Sequence, residues 1–240
     1  MDILIDTHTH TIASGHAYST MHEMITFAKQ KGLKYLGITE HAPAMPGTCH
    51  IFYFENFKVV PRQYGDLTLL LGAEANITDT KGTLDLYDDL LNRLDVIIAS
   101  LHTPCYDGCG KKENTSAYVG AMRNPKVAII GHPDDSRLPL DYDILIPEAK
   151  KNHVALELNN SSLKPNSFRQ NARENVQTYL TLCKEQEVPI IFGSDSHICY
   201  DIADFKLAQE IADSVGFPKE LIINYNEHLI EEYILAKKVL

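Results

Sequence analysis

The 240-residue chain has no tryptophan, and its five cysteines (Cys49, Cys105, Cys109, Cys183 and Cys199) are odd in number and scattered. Such spacing makes no disulfide framework, so the thiols are expected to be free and the chain to work in a reducing cytoplasm. Long apolar runs are missing as well. Nothing approaches the ~20 residues that cross a bilayer, and the start, MDILIDTHTH, lacks the basic and apolar segments of a secretory leader. Positive charge is scarce: 22 Lys and Arg stand against 32 Asp and Glu, a net charge of -10 with neutral histidines. A field of that sign repels polyanions and argues against nucleic acid or an anionic membrane as partner. The glycine fingerprints of dinucleotide and P-loop sites are absent, as is a G-x-S-x-G nucleophile elbow. No Pro/Gly/Ser-rich linker or internal repeat divides the chain, so a single domain over 1–240 is expected, its assembly state, including a homo-oligomer, left open.

What the chain has in excess is histidine, 11 in all. Their placement depends on the strands. Short β-branched runs at 2–7, 34–39, 67–73, 95–101, 127–131, 153–158 and 189–193 predict seven strands. Helical periodicity at 20–31, 84–94, 114–123, 141–152, 169–187 and 204–216 fills the intervals, and a closing helix is expected at 226–238 with Leu229, Ile230, Tyr233 and Ile234 on one face. Alternating strands and helices imply a parallel sheet, either open and doubly wound or closed into a barrel. The irregular stretch 42–64, with three prolines and the aromatics Phe52, Tyr53, Phe54 and Phe57, is the candidate functional loop.

Histidines and acids follow the carboxyl ends of six of the seven predicted strands: Asp6-Thr7-His8-Thr9-His10, Glu40-His41, Glu74, His102, His132 and Asp195-Ser196-His197. In a parallel barrel these ends meet on one rim, where such barrels carry their active sites. His8 and His10, two apart in extended chain, share a face and form a two-ligand clamp, which His16 can join. One strand-end histidine alone is ordinarily a hydrogen-bonded core residue. Six such ends together point to metal, and imidazoles mixed with carboxylates suit a multinuclear hydrolytic site. His22, His153 and His228 fall on helices or at the opposite strand end and are expected to be structural or solvated.

These residues carry a resemblance. DTHTH (6–10), TEH (39–41), GAE (72–74), SLH (100–102), GHP (131–133) and GSDSH (193–197) resemble the motifs of the PHP (polymerase and histidinol phosphatase) domain superfamily over nearly the whole chain. MPG (45–47), GAEANI (72–77) and LELNNSS (156–162) are similar to its stand-alone YcdX-type phosphatases. The resemblance implies a distorted seven-stranded (β/α)7 TIM-like barrel of the PHP fold, with three divalent ions, commonly zinc, with manganese or iron as alternatives. It implies that His8, His10, Glu74 and Asp195 hold one ion, that Glu74 bridges to a second held by His102 and His132, and that His16, His41 and His197 hold the third. Glu74, Asp195 and His197 are thereby the catalytic candidates. The expected activity is hydrolysis of small phosphate monoesters.

Arg62 and Arg169 are candidates for bidentate phosphate contacts, Asn159 and Asn160 for rim residues after the one strand without a ligand, and His50 for protonating the leaving group. Three alternatives compete. An amidohydrolase-type C–N hydrolase shares the opening His-x-His and closing Asp but takes a lysine after its fourth strand, where Leu101-His102 stands here. A histidinol-phosphate phosphatase differs only in leaving group, and a non-catalytic metal-binding module would not require so complete a ligand set. The exonuclease activity of polymerase-associated relatives finds no basic groove to support it.

Overall fold

The computed structural model describes residues 2–239, with side chains through Lys237. The strands are β1 (Ile5–Asp6), β2 (Tyr35–His41), β3 (Gln63–Tyr64), β4 (Leu67–Asn76), β5 (Ile97–Ser100), β6 (Val127–Ile130), β7 (Ala155–Asn159) and β8 (Ile190–Gly193). The helices are α1 (Met21–Gln30), α2 (Phe52–Glu55), α3 (Asp88–Leu91), α4 (Lys111–Met122), α5 (Tyr142–Lys151), α6 (Ala172–Glu185), α7 (Lys206–Ser214) and α8 (Glu227–Ile230). Seven strands run parallel in the order β1-β2-β4-β5-β6-β7-β8, and the short β3 pairs antiparallel with the start of β4. The sheet is a nearly closed barrel, the (β/α)7 architecture expected.

Closure between β8 and β1 is made by other means than a strand ladder. Near the carboxyl ends, Thr9 and Ser196 form a parallel bridge, with His10 N–H donating to Ser196 O at 2.8 Å. Lower in the seam, the buried Asn224 takes the place of strand backbone. Its Oδ1 accepts from Phe192 N at 2.7 Å, its Nδ2 donates to Ile5 O and Phe192 O at 3.0 and 2.9 Å, and its own carbonyl accepts from Leu4 N.

Alternation along each strand fixes what faces inward. Leu70, Ile98, Ala155 and Ile191 belong to an apolar cluster inside the barrel, which Ile230, Tyr233 and Ile234 close at the amino-terminal end. Two residues further along the same faces come Gly72, Ser100, Glu157 and Gly193, and two further again Glu74, His102, Asn159 and Asp195. The interior therefore passes from an apolar floor, through a layer of mostly small residues, to a polar rim. A larger apolar shell lies between the strands and the helices outside them.

The seven parallel strands lie where the β-branched runs place them. The expected helix at 84–94 shrinks to the single turn α3, because Leu84 bridges to Ile77 and the Asp85 carboxylate accepts from the N–H groups of Ala44 and Asn76. The closing helix is α-helical only over Glu227–Ile230 and then widens into a π-turn over Glu231–Leu235. The single-domain expectation for 1–240 includes Met1 and Leu240, which lie outside the described residues. Among the described residues no helix is long and apolar enough to cross a membrane.

Candidate metal centre

The buried rim gathers the predicted donors around one carboxylate. Glu74, at the end of β4, has Oε2 3.4 Å from His8 Nε2, 3.6 Å from His10 Nε2 and 2.7 Å from His41 Nδ1. Its other oxygen lies 3.1 Å from His102 Nε2 and 2.8 Å from His132 Nε2. Asp195 Oδ1 is 3.4 Å from His10 Nε2 and 3.7 Å from His8 Nε2. Three groups can each surround an ion: His8, His10 and Glu74; His41, Glu74 and His102; His10, His41 and His197. His16 is the outermost, exposed on the rim with its ring 5.0 Å from that of His41 and 4.8 Å from that of His197.

The donor set fits a divalent metal on a test internal to the fold. His8 Nε2, His10 Nε2, His41 Nδ1 and Glu74 Oε2 are sealed from solvent, and none makes a well-aligned hydrogen bond, although His41 Nδ1 and Glu74 Oε2 stand 2.7 Å apart. Burying four polar atoms unpaired is costly unless something else satisfies them. Donors on a tetrahedral zinc lie about 3.3 Å apart, given bond lengths near 2.0–2.1 Å. The spacings of His8, His10, Glu74 and Asp195 match that value.

Neighbouring acceptors fix the orientation of the imidazoles. His8 Nδ1–H donates to Glu157 Oε1 at 2.6 Å, and His102 Nδ1–H to Asn76 Oδ1 at 2.8 Å. His10 Nδ1–H donates to Ser14 Oγ at 3.1 Å, and the Ser14 hydroxyl donates onward to Glu40 Oε2 at 2.6 Å. His197 Nδ1–H faces the Asp195 carbonyl at 3.0 Å. With Nδ1 so occupied, Nε2 keeps its lone pair for the cluster. Two rim residues also have the positive φ that side chains rarely adopt, His132 at 28° and Asp195 at 52°. That turn brings His132, one residue out of phase with the inward face of β6, back toward Glu74. Strain of this kind collects at functional sites.

The electrostatics follow the crowding. Burial pushes the Glu74 and Asp195 carboxyls upward, but the surrounding imidazoles outweigh it, with Arg169 adding to the effect on Asp195, and hold both well below the ordinary carboxylate range. Burial lowers His10 well below its ordinary value and His102 to about 4, so both stay neutral and ligand-ready. Burial also disfavours the charged form of His8, yet Glu157, Glu74 and Asp195 together raise it.

Glu157 is the residue the strand-end pattern missed. It sits on β7, the strand read as having no ligand, one step below the rim. Besides holding His8 it accepts from His132 N–H at 2.7 Å and from Asn159 Nδ2 at 3.2 Å. The facing Gly193 makes room for it, because a Cβ there would stand 1.8 Å from Glu157 Oε1. An acid in the middle of the buried run ALELN was the available signal, since a lone charge is rarely buried without a partner.

Of the expected substrate residues, Arg169 reaches the site. It lines the cavity beside the cluster, and its Nη1 donates to Ser162 Oγ at 2.8 Å and lies 3.5 Å from Asp195 Oδ2. Its Nε and Nη2 make no hydrogen bond among the described residues. Asn159 is an orienting group, donating to Asp195 Oδ2 at 3.2 Å and accepting from Ser162 N–H. Three expectations need correction. Arg62 faces the other end of the barrel, with Nε 2.7 Å from Asp95 Oδ2 and Nη1 on the carbonyls of Phe57 and Val60, because the loop has already descended to meet the start of β4. His50 lies exposed in a separate shallow depression, its Nδ1 accepting from Phe52 N–H. Asn160 is buried and turned toward α7, where its Oδ1 accepts from Ala208 N–H. His22, His153 and His228 are exposed and away from the rim cavity, the last two against Glu232.

A cavity of about 490 Å³ opens above the cluster, lined by His16, His41, Glu74, His102, His132 and Asp195 and continuing to Arg137, Lys164 and Phe168. It is large enough for a small metabolite.

Comparison with known proteins places the chain in a family. The model of the PHP domain family covers residues 6–190. A probable phosphatase of Clostridium novyi is 46% identical over 237 residues, 99% of this chain and 96% of the relative. A probable phosphatase of Thermoanaerobacter pseudethanolicus is 41% identical over 239 residues, 99% of this chain and 97% of the relative. Among solved structures, a histidinol phosphate phosphatase of Lactococcus lactis, crystallised with zinc, L-histidinol and phosphate, has a similar fold. Its TM-score is 0.62 at 17% identity, with 91% of this chain and 95% of that one covered. With its motifs on one rim and the family model spanning most of its length, the chain belongs to the PHP domain family.

Proposed function

We infer that this chain is a metal-dependent phosphatase acting on small phosphate monoesters, and that the whole chain forms one catalytic unit in the cytoplasm. The observation that carries the reading is the set of four sealed, unpaired donor atoms on His8, His10, His41 and Glu74. We assign three divalent ions to the rim, with zinc the first candidate and manganese or iron the alternatives. His8, His10, Glu74 and Asp195 would hold the first, and Glu74, His102 and His132 the second. His41 and His197 would hold the third, with His16 or His10 completing it. Bound there, such ions supply Lewis-acid polarisation of the phosphoryl group and hydroxide near neutral pH.

The chain's own residues set the geometry. Arg169, anchored by Ser162, would offer Nε and Nη2 to a phosphoryl oxygen. Asn159 and Arg169 fix Asp195 from the side away from His10, and Glu157 keeps the His8 ring in place. In the net reaction the oxygen of water bonds to phosphorus, the bond from phosphorus to the ester oxygen breaks, and alcohol and inorganic phosphate leave. The test pairs elemental mass spectrometry of purified protein with steady-state assays. About three ions per chain are expected, together with turnover of p-nitrophenyl phosphate that chelation removes and zinc or manganese restores. One ion or none would defeat the trinuclear assignment, and turnover of cyclic amides without phosphatase activity would transfer the chain to the amidohydrolase reading. Histidinol phosphate, the substrate class named for the Lactococcus neighbour, belongs in the same substrate panel.

A further inference from the structure

The outer half of the cavity has a feature that phosphate hydrolysis alone does not require. Arg137 is pinned there. Its Nε and Nη2 donate to Asp135 Oδ2 at 2.8 and 2.5 Å, and its guanidinium carbon lies 5.0 Å from the centroid of the Phe168 ring. Held by a carboxylate and an aromatic face, the group keeps Nη1 as a donor with no hydrogen-bond partner among the described residues. Asp135 is committed elsewhere too, since its Oδ1 accepts from the backbone N–H groups of Arg137 and Gln170 at 3.0 and 3.2 Å. A guanidinium fixed before binding loses little entropy when an anion arrives.

Lys164 lines the same cavity and spends one of its three donors, at 2.7 Å, on Asp201 Oδ2. Phe168, 71% exposed, earns no stability from burial. Its contacts are instead with two cations, for Arg169 stands 5.5 Å from the same ring centroid. Arg169 reaches Asp195 on one side and shares that ring with Arg137 on the other, and one cavity of about 490 Å³ runs from the metal donors to Arg137. Apolar side chains, Pro104, Leu138 and Leu140, form further parts of the wall.

We propose that the substrate is a phosphate monoester whose leaving group carries a second anionic group, a carboxylate or another phosphate, received by Arg137 and Lys164. The proposal rests on the phosphatase reading and names the class of ester that site selects. It also sets this chain apart from enzymes whose leaving group bears an amine, because a cationic tail would meet Arg137 and Lys164 and find the acids of the same wall, Asp135 and Asp201, already engaged by them.

The test measures kcat/KM on matched esters with metal-loaded enzyme. 3-Phosphoglycerate against glycerol 3-phosphate examines a carboxylate tail, fructose 1,6-bisphosphate against fructose 6-phosphate a phosphate tail, and L-histidinol phosphate supplies the cationic case. The wild type is expected to favour the anionic member of at least one pair by about tenfold or more, the worth of one well-placed charge-assisted contact, and to turn over L-histidinol phosphate least well. Which pair responds identifies the tail. Arg137→Gln and Lys164→Gln should each move that ratio toward one, and a ratio taken within one variant is independent of how much of it is folded. Wild-type ratios near one in both pairs, or a ratio that neither substitution moves, would overturn the proposal. An enzyme that hydrolyses no ester would instead overturn the phosphatase reading beneath it.

Discussion

The two ends of the barrel bury polar groups in opposite ways. At the amino-terminal end they are satisfied. Arg62 meets Asp95, the Asp95 carboxylate also accepts from Leu71 N–H at 2.9 Å, and Lys126 Nζ donates to Lys237 O at 2.7 Å. At the carboxyl-terminal rim several are not. Every sealed side-chain atom without a partner among the described residues lies at a strand's carboxyl end or in the loop after one: those of His8, His10, His41 and Glu74, together with Ser100, Tyr106 and Asp134. Both ends bury polar groups, so burial alone does not mark the site. Missing partners do, because a fold tolerates them only where something else offsets the cost.

The largest test of this contrast is Asp195→Ala. Activity should fall on the order of a thousandfold or more with loss of a metal ligand, while thermal unfolding of the metal-free variant stays within a few degrees of the metal-free wild type. Near-wild-type turnover would break the contrast at its functional end. Glu157→Gln comes next. Removing the charge that orients His8 should weaken metal binding about 10–100-fold, read by competition with a chelating dye, whereas a purely structural role would change stability and leave metal affinity alone.

Arg62→Ala examines the other end. It should cost about 2 kcal/mol of unfolding free energy in urea, a figure reduced for the partial exposure of Arg62, and leave kcat/KM unchanged. A matching loss of activity would show that the two ends are not separable. The smallest effect expected is a pH dependence. Burial raises Asp134 to about 6 from an ordinary 3.8. Between those values the folded state binds more protons than the unfolded state, so this group's contribution to stability falls as pH rises from about 4 to 6. Metal-free Asp134→Asn should therefore lose about 1–2 kcal/mol less than the wild type over that window, and identical slopes would exclude Asp134 as the source.

Sequence carried the fold well because β-branched runs and helical periodicity are local properties. It failed where tertiary contacts override them, as at 84–94, where Asp85 is tied to Ala44 and Asn76 across the rim. The donors were legible for a similar reason: a strand end is a place one can locate from sequence, and the strand ends all meet on the same rim. Arg62 and His50 were misplaced because the path of an irregular loop depends on what it meets. Glu157 was missed because its role comes from the interior of the strand, where Gly193 on the neighbouring β8 vacates the space it fills.

The seam that Asn224 bridges has a consequence for the chain's motions. His8 and His10 leave one edge of that seam and Asp195 and His197 the other, nearly two hundred residues apart along the chain. An ion shared between them would act as a removable cross-link between the first strand and the last, closing the longest loop in the molecule. Chelation should then loosen the structure at a defined place. Amide hydrogen exchange would quicken first at Leu4, His10 and Phe192, while β4 and β5, on the far side of the ring, stay protected, and metal would hold shut the seam that no strand ladder closes.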